Sequence, residues 1–187
     1  MRALTYLVAT SVDGFIADPQ GGLDHLAVSP ALIAFLCTDY PETLPSQTRE
    51  ALGIDVPHRH FDTIIQGRRT YQAALDAGIT SPYAHLRQYV VSRSLESPGP
   101  PVTVVDDPVA TVRGLKAESG KGIYLAGGGE LAAALLPEID TLVVKVYPVV
   151  SGRGRPLLDG DFRPAGLRLT GSRALACGTV VLTYACG

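Results

Sequence analysis

Apolar positions along the chain gather in short β-rich runs at 4–10, 61–66, 86–91, 102–105, 122–126, 142–150, 167–174 and 179–184. Runs of this length bounded by Gly, Pro, Asn, Asp or Ser read as strands, so about eight are expected. Between them the periodicity changes to that of helices. Ser29 offers an N-cap and Pro30 a first helical residue before 31–37, and Asp107 with Pro108 repeats the pattern before a segment reaching Glu118. In that segment Val109, Val112 and Leu115 recur every third residue, and Leu131, Leu135 and Leu136 form a stripe in 128–136. A further helix is expected over 69–75, directly after the second run.

Strands alternating with helices predict βαβ crossovers and an α/β fold with a mostly parallel sheet. The last two runs lie close together around Cys177 and Gly178, which predicts an antiparallel hairpin and hence a mixed sheet. No repeat, charge run or Ser/Gly linker divides 1–187, so one unit is expected. The nine-residue run 142–150 is long enough to pair across a dimer interface.

The chain has 187 residues, of which 46% are hydrophobic and 18% charged, as for a folded globular chain rather than a disordered one. Lys+Arg at 16 against Asp+Glu at 18 gives a net charge of −2, which argues against a nucleic-acid partner. No run approaches membrane-spanning length and the first residues lack a signal-peptide pattern, so a cytoplasmic protein with no membrane partner is expected. Cys37, Cys177 and Cys186 form no CxxC pair, which favours free thiols, although Cys177 and Cys186 could face one another across the hairpin. The four histidines show no metal-ligand spacing, and no metal is expected.

In open α/β sheets ligands bind outside the carboxyl ends of the strands, and the candidate chemistry lies there. Gly127, Gly128, Gly129 and Glu130 carry one strand into a helix, a turn that suits pyrophosphate or is simply tight. Gly67, Arg68, Arg69 and Thr70 do the same after the second run, where two guanidiniums either clamp phosphate or are solvated. Ser92 and Arg93 end a third run, and a cation there suits a ribose 2′-phosphate. Three anion-friendly strand ends in one net-acidic chain point together to a phosphorylated dinucleotide. After the first run, residues 9–17 form either a turn or a flap over a planar ring, and 147–155 either line the same cleft or turn the chain.

The order S-x-D-G-F-I-A, G-R-R-T-Y, V-S-R, A-G-G-G-E-L and Y-P-V-V-x-G-x-G resembles the dihydrofolate-reductase-like superfamily over nearly the whole chain. Within it, the order is most similar to the reductase domain of riboflavin-biosynthesis deaminase-reductases and its stand-alone relatives. The resemblance implies an eight-stranded mixed sheet flanked by helices, NADPH as hydride donor and often a homodimer. It implies that Ala9 meets the nicotinamide carboxamide through its backbone and that Ile16 lies against the ring. Gly67 to Thr70 would hold the phosphates, Ser92 and Arg93 the adenosine 2′-phosphate, and Gly127 to Glu130 the pyrophosphate.

The implied activity is an NADPH-dependent reduction of a small heterocycle, most like that of 5-amino-6-(5-phosphoribosylamino)uracil reductase. Dihydrofolate reductases carry a carboxylate early in the first helix, where this chain has Ala31, so pterin reduction is the lesser alternative. A non-catalytic NADPH-binding regulator is the other. No H-x-E or P-C-x-x-C deaminase signature is present. Candidate proton donors are Asp13, Asp24 and Asp140, with Asp13 first.

Overall fold

Alternation between two buried faces organises the strands of the computed structural model, which describes residues 1–187. In β1 (Leu4–Thr10), Leu4, Tyr6 and Val8 enter one core cluster while Leu7 and Ala9 enter another. The same division holds in β6 (Gly122–Gly127), with Ile123 and Leu125 on one face and Tyr124 and Ala126 on the other. Both faces are apolar because helices cover both, as parallel sheets require.

The helices start where the caps predict. Ser29 accepts a hydrogen bond from the Leu32 amide to open α1 (Pro30–Asp39), and Asp107 accepts from the Ala110 amide to open α4 (Pro108–Ala117). α1 buries Leu32, Phe35 and Leu36 on the Leu7 face, and the short α2 (Ser46–Ala51) follows it in the chain. α4 buries Val112 and Leu115 on the opposite face, with Leu131 of α5 (Gly129–Ala134) and the adjoining Leu135. Each fully buried leucine contributes about 1.5–3 kcal/mol relative to exposure. α3 (Arg68–Asp76) follows β3 (Phe61–Gly67) directly and packs Tyr71 against Val90 and Val102.

The main sheet has eight strands in the order β5-β4-β3-β6-β1-β7-β10-β9. β5 (Val102–Val105), β4 (Arg87–Val91), β3, β6, β1 and β7 (Thr141–Val146) run parallel. β10 (Val180–Cys186) and β9 (Leu167–Ala174) complete it as the expected antiparallel hairpin. This is the dihydrofolate-reductase-like α/β architecture. A second, two-stranded sheet joins β2 (Phe15–Ala17) to β8 (Arg155–Pro156), pieces too short to carry a periodic signal.

Two expectations are corrected. The run 142–150 stops being a strand at Val146, and β7 has β1 on one side and β10 on the other, leaving no edge for a partner. Cys177 lies in the turn while Cys186 pairs with Leu167 at the far end of the hairpin, so the two do not face one another, and all three thiols are free.

Candidate functional site

Six parallel strands place their carboxyl ends along one edge, and the sequence signals converge there. The turns around Gly67 and Gly127–Gly128 touch. A β-carbon on Gly67 would lie 3.5 Å from the Gly128 amide nitrogen and 3.6 Å from the Gly127 carbonyl oxygen, and one on Gly128 would lie 3.9 Å from the Thr70 hydroxyl. Gly127 adopts φ +110°, a conformation that L side chains rarely reach. Gly129 is fixed by proximity, since a β-carbon there would collide with the Pro156 carbonyl and come within 3.4 Å of Asp159.

The helix N-termini divide into two kinds. Those of α1 and α4 are closed by Ser29 and Asp107; α2, α3 and α5 have no side-chain cap, and the last two begin in the glycine turns, at Gly67 and Gly128. Amides at these two stay available to a ligand, and the dipole of α3 favours an anion. Arg69 bridges the two turns by pairing with Glu130 at 2.9 Å, both side chains largely exposed. Arg68 pairs instead with Gln72 along α3. Beyond β4, the Ser92 hydroxyl accepts from the Ser94 and Leu95 amides, and this turn presents the exposed Arg93.

The loop after β1 is sewn to the chain beyond β7. Asp13 accepts from the Ser11 hydroxyl at 2.6 Å, the Ser151 amide at 3.0 Å and the Gly152 amide at 2.6 Å. The Leu157 amide donates to the Gly14 carbonyl, and Ile16 sits in β2 packed against the core beneath. Residues 9–17 and 147–155 therefore form one structure beside Ala9 at the end of β1.

Those hydrogen bonds hold the Asp13 carboxyl down at about pKa 2, the Ser11 hydroxyl being the largest influence. So anchored, Asp13 is ionised in the free protein and ties the two loops together. Asp140 precedes β7 at the opposite edge, accepting from the Leu4 amide and pairing with Lys116 at 2.8 Å. Asp24 lies in an exposed turn before α1. Of the three candidate proton donors, Asp13 alone lies in the loop that follows the carboxyl end of β1.

Two polar residues that the sequence reading passed over lie near the carboxyl ends of the strands. Gln66 is 2% exposed near the end of β3, and its amide nitrogen has no partner. Lys145 lies on β7 opposite Ala9 and is half-buried. Burial alone pushes its pKa down to about 8, with no carboxylate to offset the cost. The available signal was a polar residue inside a run that otherwise reads as buried strand, VVKVY and TIIQG. The Ser151 hydroxyl and His25 Nε2 are also buried without partners. A cavity of about 450 Å³ lined by His58, His85, Arg87 and Tyr89 opens elsewhere, at the start of β4, away from the strand ends.

Residues 2–181 match the RibD C-terminal domain family. The chain belongs to that family. Its relatives include YwjB of Bacillus subtilis (strain 168), uncharacterised in function, at 30% identity over 92% of this chain and 91% of the relative. The uncharacterised YyaP of the same organism is 24% identical over 98% of this chain and 94% of its own. A solved structure from Shewanella sp. PV-4, named for riboflavin biosynthesis, superposes with a TM-score of 0.73 at 24% identity, covering 99% of each chain. A Thermotoga maritima diaminohydroxyphosphoribosylaminopyrimidine deaminase/5-amino-6-(5-phosphoribosylamino)uracil reductase superposes with a TM-score of 0.65 at 14% identity. It covers all of this chain and 57% of that one.

Proposed function

We propose that this RibD-family chain is an NADPH-dependent reductase acting on a small heterocyclic substrate of the 5-amino-6-(5-phosphoribosylamino)uracil type. The observation that carries this reading is the contact of two glycine turns, each opening an uncapped helix, at the carboxyl edge of the sheet. Together the turns set two uncapped helix starts side by side, the polarity a pyrophosphate needs. Gly67, Arg68, Arg69 and Thr70 would grip it from one side and Gly127, Gly128, Gly129 and Glu130 from the other. Ser92 would set the turn from which Arg93 reaches the 2′-phosphate. Ala9 would meet the nicotinamide carboxamide through its backbone, and Ile16 would lie against the ring.

Bound in this way, the nicotinamide supplies the hydride; the protein orients the reactants and excludes water. The Asp13 tie helps by holding the β1–β2 loop closed on residues 151–152. The first turn of α1 carries no acid, so nothing there would support protonation of a pterin, and this favours the uracil-type substrate.

Calorimetric titration with both nucleotides tests the assignment. NADPH is expected to bind at least about tenfold tighter than NADH, the scale of one charge-assisted contact to the 2′-phosphate. Arg93→Ala should remove most of that difference, and equal affinities in the parent protein would sink the reading.

A further inference from the structure

Strand register fixes what surrounds Lys145. Ala9 on β1, Lys145 on β7, Val181 on β10 and Arg173 on β9 lie level with one another across four strands. Neighbouring backbones in such a row are about 4.8 Å apart. The row belongs to the face that α1 covers. Val143 and Tyr147, two residues to either side of Lys145, join the cluster around Leu32 and Phe35, as do Ala9 and Val181. Lys145, half-buried at the last but one residue of β7, therefore carries an ammonium along an apolar layer to the carboxyl edge.

The titratable groups on the elements packed around it leave that charge unbalanced. Tyr147 is buried, and burial lifts its pKa to about 12. α1 carries Cys37 and Asp39, and Asp39 pairs with Arg173 at 3.1 Å. In the hairpin turn the Cys177 thiol lies 3.4 Å from the Thr179 hydroxyl, and in the loop before α1 the His25 Nε2 is buried without a partner. None of them offsets the lysine, whose pKa answers to burial alone. Ile16 lies on the other side of the sheet, packed on the cluster that contains Val8 and Val144. A nicotinamide held between Ile16 and the end of β1 would turn its free side to the α1 layer. That is the side from which a hydride acceptor must approach, and the side that holds Lys145.

We propose that Lys145 is the proton donor of the reduction, its ammonium protonating the substrate heteroatom that receives an electron pair as hydride reaches the adjoining carbon. The assignment rests on the reductase reading and deepens it. As hydride passes from the dihydronicotinamide to that carbon, the π pair of the C=N or C=O bond moves to nitrogen or oxygen. An N–H bond of Lys145 breaks as the new N–H or O–H bond forms. The substrate is reduced, NADPH is oxidised to NADP⁺, and the neutral amine regains its proton from water at the open edge. A donor that titrates near neutrality suits this task, because it is charged when needed and releases its proton readily. The first turn of α1, which carries no acid, leaves the same face without a competing carboxyl donor.

The test has two arms. In the first, the free protein is labelled with trace acetic anhydride over a range of pH, and acetylation of Lys145 is read by mass spectrometry. The amine should titrate near pH 8, and saturating NADP⁺ should slow its labelling. A midpoint at the ordinary lysine value, about 10.4, or labelling indifferent to bound NADP⁺ overturns the proposal. In the second, NADPH oxidation is followed with 5-amino-6-(5-phosphoribosylamino)uracil. Turnover of the parent should fall as pH rises through the lysine's pKa. Lys145→Met should be slower by about 100-fold or more and lose that limb, with NADPH affinity unchanged and the thermal midpoint not lowered. Lys145→Arg should be as slow, because a guanidinium keeps its proton, and methylamine should partly restore Lys145→Ala. A fast Lys145→Arg variant would show a fixed charge instead of a donor, and a fast Lys145→Met variant no role; either overturns the proposal. If NADP⁺ does not bind, the reductase reading falls and the assignment with it. A parent that binds NADP⁺ and leaves this uracil unreduced overturns the substrate class alone, and the acetylation profile then decides the lysine.

Discussion

Three side chains at the cleft carry opposite relations between stability and use. Gln66 buries an amide nitrogen without a partner, so Gln66→Leu should stabilise the fold by about 1–3 kcal/mol, the desolvation cost of such a group. Urea denaturation measures this, and a destabilised variant would show that the amide is satisfied in solution. Lys145 has a folded pKa near 8, below its unfolded value, so the unfolded chain binds more protons between about pH 8 and 10.5. Stability should therefore rise with pH across that window, and the gain on Lys145→Met should be largest below pH 8 and shrink above it. A gain independent of pH would mean the lysine is not desolvated. Asp13 is likewise held below its unfolded value, near 2, so stability again rises with pH, here between about 2 and 4, and the stabilising contribution of the carboxylate is complete above about pH 4 and lost as pH falls towards 2. Asp13→Asn should weaken NADPH binding by loosening the loop while leaving the pH profile of turnover unshifted. A profile that shifts would restore Asp13 as a proton donor.

Among the elements, the caps were legible and the loops were not. Ser29, Pro30, Asp107 and Pro108 mark α1 and α4 because a cap is a local interaction between a side chain and an amide three residues on. The glycine turns were legible as turns, but that Gly67 meets Gly127–Gly128 is a tertiary fact set by β3 and β6 pairing. The joining of 9–17 to 147–155 through Asp13 and β2–β8 was likewise out of reach, since it links residues far apart in the chain. Gln66 and Lys145 escaped notice because a polar residue in an apolar run looks like an outward-facing position until both faces of the sheet are known to be covered. Two substitutions separate packing from charge within these elements. Gly129→Ala forces a β-carbon into the Pro156 carbonyl and should cost about 1–3 kcal/mol, with weaker NADPH binding. Glu130→Ala removes an ion pair whose side chains are 68% and 62% exposed, and should change stability by less than about 1 kcal/mol. Equal losses in urea denaturation would show that the turn is held by the ion pair instead.

Over the whole molecule, the two sheet edges differ. β5 is four residues long, but β9 has eight, is exposed almost throughout and carries Leu167 and Leu169 at 43% and 53% exposure, with Phe162 at 97% just before it. An exposed edge of that length invites pairing with another chain. The homodimer that the family resemblance implies is therefore proposed to form along β9, not along the run 142–150. Sedimentation velocity should show a dimer that Leu169→Lys weakens, whereas a parent that stays monomeric removes the proposal. The net charge of −2 still argues against a polyanion surface, yet it says nothing of a single edge where Arg93, the α3 N-terminus and Lys145 gather. The most direct test of that edge as the reductase site is a crystal structure of the protein with NADP⁺. The account predicts the 2′-phosphate against Arg93, the pyrophosphate at Gly67–Thr70 and Gly127–Gly129, and the nicotinamide beside Ala9. A nucleotide seated in the cavity of His58, His85 and Tyr89 at the amino edge, or none bound at all, would contradict it.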